Sequence, residues 1–244
     1  MSGPILEARQ VSKRLGSGAA EVHALKDVNL ALKGGELTLL MGPSGSGKTT
    51  LLSILGCMLT PTSGNVYICG KPTEGSNAEE LACIRREHIG FIFQSYHLFP
   101  TLTAAENVQL ALDLRGEDGG GARRRAHDAL ARVGLAHKIG SYPREMSGGE
   151  QQRVAIARAI VSNPSAILAD EPTAALDTEN GQAVMAILAD IAKEPGRGVL
   201  VVTHDTRLIP FAECIHTIED GRIVREDRPQ QRKPDLLAAV SGAE

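Results

Sequence analysis

The run Gly42-Pro43-Ser44-Gly45-Ser46-Gly47-Lys48-Thr49 constrains this chain more than any other stretch. It reads glycine, four residues, then Gly-Lys-Thr. The apolar run Leu37 to Met41 precedes it and a helix-like stretch, Thr49 to Leu55, follows it. A strand that feeds a glycine-rich turn and then a helix is the context of a phosphate-binding loop. Glycines let backbone N–H groups curl round phosphates with no side chain in the way, and the helix N-terminus adds its positive partial charge. In such a loop Lys48 reaches the β- and γ-phosphates and Thr49 places its hydroxyl on Mg²⁺, with Thr50 beside them. The loop by itself fits a kinase, a GTPase or a motor equally well.

The rest of the chain reads as α/β. Ile5 to Val11, Leu37 to Met41, Ile89 to Phe93, Ala166 to Ala169 and Val199 to Thr203 have the length and composition of strands. Most are apolar on both faces and alternate with amphipathic stretches, which indicates a parallel sheet covered on both sides. Cys214 to Ile218 and Arg222 to Val224 flank Glu219-Asp220-Gly221, a hairpin signal. From Thr101 to Pro143 no stretch reads as a strand. Leu110 to Leu114 and Ala122 to Val133 carry helical spacing, with Gly119-Gly120-Gly121 breaking them apart. A helical insertion over residues 95–160 of the α/β core is expected. The segment 228–244 is polar and contains proline, and is expected to be a loosely held tail.

Charge and cysteine usage narrow the function. Lys and Arg number 26 against 29 Asp and Glu, a net charge of −3. Nucleic-acid binding needs concentrated positive charge, so no nucleic-acid partner is expected, and Arg123-Arg124-Arg125 reads as a solvated helix face. Cysteines 57, 69, 83 and 214 form no C-x-x-C pair, which argues against a zinc or redox motif and for reduced, mostly buried thiols. Met1 to Gln10 lacks a basic region followed by an apolar run, so no signal peptide is expected. No stretch approaches the roughly 20 apolar residues that span a bilayer. A membrane part, if the protein works on a membrane, is expected in another subunit.

Downstream stands Met146-Ser147-Gly148-Gly149-Glu150-Gln151-Gln152-Arg153. This resembles the signature of the ATP-binding-cassette (ABC) family, L-S-G-G-Q-Q-Q-R, with Met146 for Leu and Glu150 for Gln. Met for Leu conserves volume, and Glu150 adds a carboxylate where a helix N-terminus tolerates one. Ala166-Ile167-Leu168-Ala169-Asp170-Glu171 resembles the Walker B strand, and Pro172-Thr173-Ala174-Ala175-Leu176-Asp177 the D-loop, with Ala174 where Ser is common. Gln94 matches the Q-loop glutamine, and His204 in Thr203-His204-Asp205 the switch histidine.

The resemblance implies a role for each match. Asp170, Thr49 and Gln94 would surround Mg²⁺. Glu171 would polarise the attacking water as general base, and His204 and Lys48 would contact the transferred phosphate. Ser147, Gly148 and Gly149 would grip the γ-phosphate of an ATP held by the opposite subunit of a homodimer. The segment after Gln94 would face a membrane subunit. One family element is missing: an aromatic ring that stacks on adenine after the first strand, where this chain has Leu15.

The resemblance covers Ile5 to Val224, in family order. It implies a P-loop NTPase core with a mostly parallel sheet, an N-terminal antiparallel β portion and a helical signature subdomain, together an ATPase domain over residues 1–227. Phe93-Gln94, Leu98-Phe99-Pro100-Thr101-Leu102-Thr103 and Asp170-Glu171-Pro172-Thr173 look like the macrolide-exporter and lipoprotein-release ATPases. Thr203 to Arg207 with Glu219-Asp220-Gly221 looks like related ATPases of bacterial glycolipid- or haem-exporting systems. The implied protein is a Mg-ATP-hydrolysing subunit that energises a separate integral-membrane permease, for export or lipoprotein extrusion, from the cytoplasmic face of the inner membrane. A soluble ABC ATPase of DNA repair or translation, and a non-hydrolysing regulatory cassette, are the alternatives.

Overall fold

A computed structural model describes residues 3–18, 21–117 and 119–229. Among the described residues ten strands and six α-helices follow one another, and two sheets organise the strands. β3 (Leu37–Met41), β6 (Ile89–Ile92), β7 (Ala166–Asp170), β8 (Gly198–Thr203) and β9 (Cys214–Glu219) run parallel. β10 (Arg222–Asp227) closes one edge antiparallel, giving the order β10-β9-β3-β8-β7-β6. The second sheet is antiparallel, in the order β2-β1-β4-β5. It comprises β1 (Leu6–Leu15), β2 (Val22–Leu32), β4 (Ser63–Ile68) and the short β5 (Lys71–Pro72). The run expected from Ile5 to Val11 therefore lies in the antiparallel sheet and is longer than its apolar part.

Alternate residues of each parallel strand go to opposite faces. Leu37, Leu39 and Met41 of β3, with Ile167, Ala169, Val199 and Val201, pack into one core. The helices that cover this face are α3 (Ala104–Asp113), α4 (Gly119–Arg132), α5 (Gly148–Ile160) and α6 (Thr178–Ala192). Leu40, Leu168, Leu200 and Val202 face a second core, shared with α1 (Lys48–Leu55) and the antiparallel sheet. Both faces of the parallel sheet are buried, which is why its strands read as unbroken apolar runs.

The expectation for the triple glycine needs correction. The chain leaves α3 after Asp113, while Gly119, Gly120 and Gly121 lie inside the first turn of α4. Burial of Ala122, Ala126, Ala129 and Leu130 against the helical core holds this helix, and tertiary packing overrides the weak propensity of its exposed glycine end. The cysteine expectation also changes. All four are free, and Cys57 and Cys214 are buried, but Cys69 is exposed and Cys83 only half-buried. Of the expected tail 228–244, residues 230–244 lie outside the described residues. Arg228 at its start is held by Glu36, 2.9 Å away, and by Glu226 at 3.4 Å.

Candidate active site

The parallel register aligns the strand ends that carry the sequence motifs. Met41 pairs with Thr203, Asp170 with Val202, and Ala169 with Ile92. The chain segments leaving these ends therefore emerge along one edge of the sheet, where α/β folds place their ligands. There they line one cavity of about 980 Å³. Its walls include Pro43, Ser44, Gly45, Gly47, Lys48, Thr49 and Thr50 of the phosphate loop, with Gln94, Asp170, Glu171 and His204. Gly42 and Ser46 belong to the loop but not to the wall; Ser46 is buried beneath it, its hydroxyl without a partner among the described residues.

Two glycines of this loop are required by space. A Cβ at Gly42 would overlap the carbonyl oxygen of Ile218 on β9. Gly47 has φ +102°, and a Cβ there would lie 2.5 Å from the Ala24 carbonyl oxygen. Gly47 is also the N-cap of α1, and no side chain caps that helix, whereas α2 (Ala78–His88), α3, α5 and α6 begin with Asn77, Thr103, Ser147 and Asp177 caps. The first-turn N–H groups of α1 thus point into the cavity free of protein partners, as an anion site requires. Lys48, nearly buried, donates to the carbonyls of Gly42 (2.8 Å) and Pro43 (2.7 Å), which hold its ammonium across the loop.

The acids occupy two different environments. The Thr49 hydroxyl sits 3.5 Å from Asp170 Oδ1. Burial pushes the Asp170 carboxyl above its ordinary range. The Thr49 hydrogen bond opposes this shift, Glu171 adds to it, and Lys48 opposes it. Among the described residues no three His, Cys, Asp or Glu side chains converge as a metal cluster. One carboxylate, a hydroxyl and an amide facing a phosphate cradle are instead the hard oxygen donors that suit Mg²⁺, which keeps waters and substrate oxygens in its shell. Glu171 follows with φ +46°, a strained left-handed conformation for a side chain of its size. Its N–H is fixed by the Val202 carbonyl at 3.0 Å. Its Oε1 lies 2.9 Å from His204 Nδ1. In the tautomer with the proton on Nδ1, His204 donates to this carboxylate.

Ser147, Gly148 and Gly149 lie outside this cavity, at the start of α5. The Ser147 hydroxyl accepts from the Glu150 N–H at 3.2 Å, and Glu150 Oε2 accepts from the Ser147 N–H at 2.7 Å. Glu150, the departure from the signature pattern, thus closes a capping box. The Ser147 N–H and nearby Lys138 hold its carboxyl below the usual range. After Gln94 the chain takes two left-handed residues, Tyr96 and His97. Arg158 of α5 donates to both of their carbonyls, at 2.7 and 2.5 Å.

With this geometry in place, comparison with known proteins decides the family. A family model described as "ABC transporter" matches residues 25–174. The chain belongs to the ABC transporter family. It is an ATPase cassette of that family. It is 47% identical over 220 residues to an uncharacterised ABC transporter ATP-binding protein, MJ1508, of Methanocaldococcus jannaschii, covering 90% of this chain and 98% of that protein. It is 45% identical over 226 residues to the macrolide export ATP-binding/permease protein MacB of Rhodopseudomonas palustris, covering 93% of this chain but 34% of MacB. The cassette thus spans about a third of the length of that relative. The solved dimer of the ATP-binding cassette MJ0796 of M. jannaschii, in a post-hydrolysis state bound to ADP and Pi, superposes with a TM-score of 0.84 at 44% identity, covering 92% of this chain and 99% of that one.

Several residues of this ABC cassette escape sequence reasoning. Val22, His23, Ala24, Lys26, Asp220 and Gly221 also line the cavity. Asp220 and Gly221, both at positive φ, form the two-residue turn between β9 and β10. That turn braces the phosphate loop: the Gly221 N–H donates to Ser46 at 3.1 Å, and the Gly221 carbonyl accepts from Lys26 at 2.8 Å. The hairpin signal is legible, but its docking on the loop is tertiary. Val22 faces Leu15 directly across the β1–β2 ladder.

Proposed function

We propose that two copies of this chain close on two ATP molecules, hydrolyse them, and use the closure to drive a membrane permease. The observation that carries this reading is how the motifs divide. The phosphate loop, Asp170, Glu171 and His204 share one cavity, while Ser147-Gly148-Gly149 stands away from it. A helix start whose serine accepts a capping bond keeps its hydroxyl proton to donate, and so suits the phosphate of a partner's nucleotide.

In this scheme the N–H groups of Gly45, Gly47, Lys48, Thr49 and Thr50 and the Lys48 ammonium hold the β- and γ-phosphates. Mg²⁺, when bound, would be held by Thr49, Asp170 and Gln94 and would offset phosphate charge. Glu171 takes the proton of the attacking water, held in place by the His204 imidazole, which also faces the γ-phosphate. Ser147, Gly148 and Gly149 of the opposite copy complete the phosphate cage. Loss of the γ-phosphate removes the charge that joins the halves, so the pair opens.

The ATPase domain is assigned to residues 1–227, the helical subdomain to 95–160 and a tail to 228–244. No helix among the described residues is long and apolar enough to cross a membrane. In this reading the permease is another polypeptide or region, and the cassette is peripheral at the cytoplasmic face of the membrane. A groove of about 520 Å³ between the core and the helices, lined by Arg85, Phe91, Ala111, Leu114 and Arg158, supports that docking. The likeness to the macrolide export protein MacB supports export; the lipoprotein-extrusion alternative rests on the sequence resemblance alone.

Glu171→Gln tests the chemistry. It removes the base and keeps the shape, so turnover falls to background while ATP binding persists. Hydrolysis at the parental rate would show that another group is the base. Purification from native membranes tests the partner: an integral membrane permease is expected to accompany the chain, and a ribosomal or DNA-bound companion contradicts the transport assignment.

A further inference from the structure

Two loops leave the catalytic strand ends side by side. One runs from Glu171 through Pro172–Asp177 to Thr178, the first residue of α6. The other runs from His204 to Arg207, in the 3₁₀ turn Thr206–Phe211. They are joined twice. At the upstream end His204 Nδ1 and Glu171 Oε1 lie 2.9 Å apart. At the downstream end Arg207 Nη1 donates to Thr178 Oγ1 at 3.0 Å.

The guanidinium that makes the second link is itself fixed. Arg207 Nε donates to Asp205 Oδ1 (2.9 Å) and Oδ2 (3.0 Å), and Nη2 donates to Oδ2 (2.8 Å). The Arg207 N–H donates to Asp205 Oδ1 at 2.9 Å, and the next residue, Leu208, is buried in the core. Thr178 is fixed as well, since Asp177 caps α6 through the Asn180 N–H at 2.9 Å. Between the two loops remains a crevice of about 20 Å³, lined by Thr173, Leu176, Asp177, Thr178, Asp205 and Arg207. That space holds about one water, so the loops are packed together.

We propose that Arg207 is a positioning residue: it ties the His204 loop to the loop before α6, so that a displacement of residues 172–177 moves His204 against Glu171. This inference rests on the dimer reading above: residues 172–177 resemble the family's D-loop, which crosses the dimer interface, and so would feel the partner close. Arg207 touches no reacting atom. Its side chain is 65% exposed, and such a pair adds little to stability. Its measurable effect is therefore on turnover.

The test uses the full chain and three variants: Arg207→Ala, Thr178→Val and the double. Thr178→Val removes the bridge but leaves the Asp205–Arg207 fork. Each single variant is expected to lower kcat on the order of tenfold, a fraction of the roughly 10²–10⁴-fold that a positioned acid–base group contributes. KM for Mg-ATP stays within about twofold, melting temperature barely moves, and the sigmoidal dependence of rate on ATP flattens. Because both act on one link, the double variant is expected to be no worse than Arg207→Ala. Unchanged kcat and unchanged cooperativity in both single variants overturn the inference. So do effects that multiply in the double, or kcat losses that only track lost melting temperature. A parent that hydrolyses ATP without cooperativity and never pairs overturns the dimer reading itself, whereas a cooperative parent with silent variants overturns the role of Arg207 alone.

Discussion

At Asp170, burial and chemistry pull in opposite directions. Burial raises the carboxyl's pKa, so folding disfavours its charged form. For such a group the favourable contribution is full below the unfolded value, about 3.9, and is lost as pH rises through the higher folded value. At neutral pH the ionised side chain therefore costs stability in the nucleotide-free protein. Asp170→Asn is expected to raise the melting temperature without ligand, to lose most of that gain at acidic pH, and to abolish Mg²⁺-dependent turnover. Calorimetry at two pH values with an ATPase assay checks this, and a lower melting temperature at neutral pH would contradict it. Leu15 is a second case. It is 40% exposed, opposite Val22 at 61%, and both line the cavity, so a base placed there would meet aliphatic groups. Base–aromatic stacking is worth roughly 1–3 kcal/mol per base in nucleic-acid complexes. Leu15→Tyr is expected to tighten ATP binding by titration and to sharpen its preference over GTP; unchanged affinity would count against this placement. That Lys48, Asp170, Glu171 and His204 come together is legible because each motif fixes a residue type at or just after the end of a strand. Val22 and Lys26 are not, because no local chemistry marks them.

Among the elements, α5 shows how a departure from a motif can be absorbed. Glu150 closes the capping box with Ser147 and pairs with Lys138 at 3.4 Å. Its depressed pKa means it contributes stability above the unfolded value, about 4.3, and that this contribution is lost as pH falls through the lower folded value. Glu150→Ala is expected to cost about 0.5–1 kcal/mol. Glu150→Gln keeps the box but flattens this part of the acid dependence. Denaturant unfolding across pH measures both, and an Ala variant as stable as the parent would remove the box from the account. Sequence reading finds β3, β7 and β8 to within a residue or so because they are buried on both faces, and β6 because its residues are apolar throughout although Ile89 and Phe91 are half-buried. It misses β2, where Asp27 at φ +52° bulges the strand and shifts the alternation. It also misses α2, which buries no residue completely and is announced only by its Asn77 capping box.

At the scale of the whole molecule, the fold gathers four strand ends at one edge and leaves the signature turn elsewhere. That separation is invisible in a linear sequence, where the signature and Walker B lie close together. It follows from the helices between β6 and β7, which carry Ser147 to the start of α5, away from the cavity wall. On the proposed function, one chain presents a phosphate cradle and, apart from it, the signature turn, and the two would serve one nucleotide across a pair of copies. Sedimentation of Glu171→Gln with and without Mg-ATP measures this directly. The account predicts monomers without nucleotide, stable dimers with ATP, and a return to monomers when Ser147→Arg blocks the signature turn. A Glu171→Gln chain that binds ATP and remains monomeric at every protein concentration would contradict it.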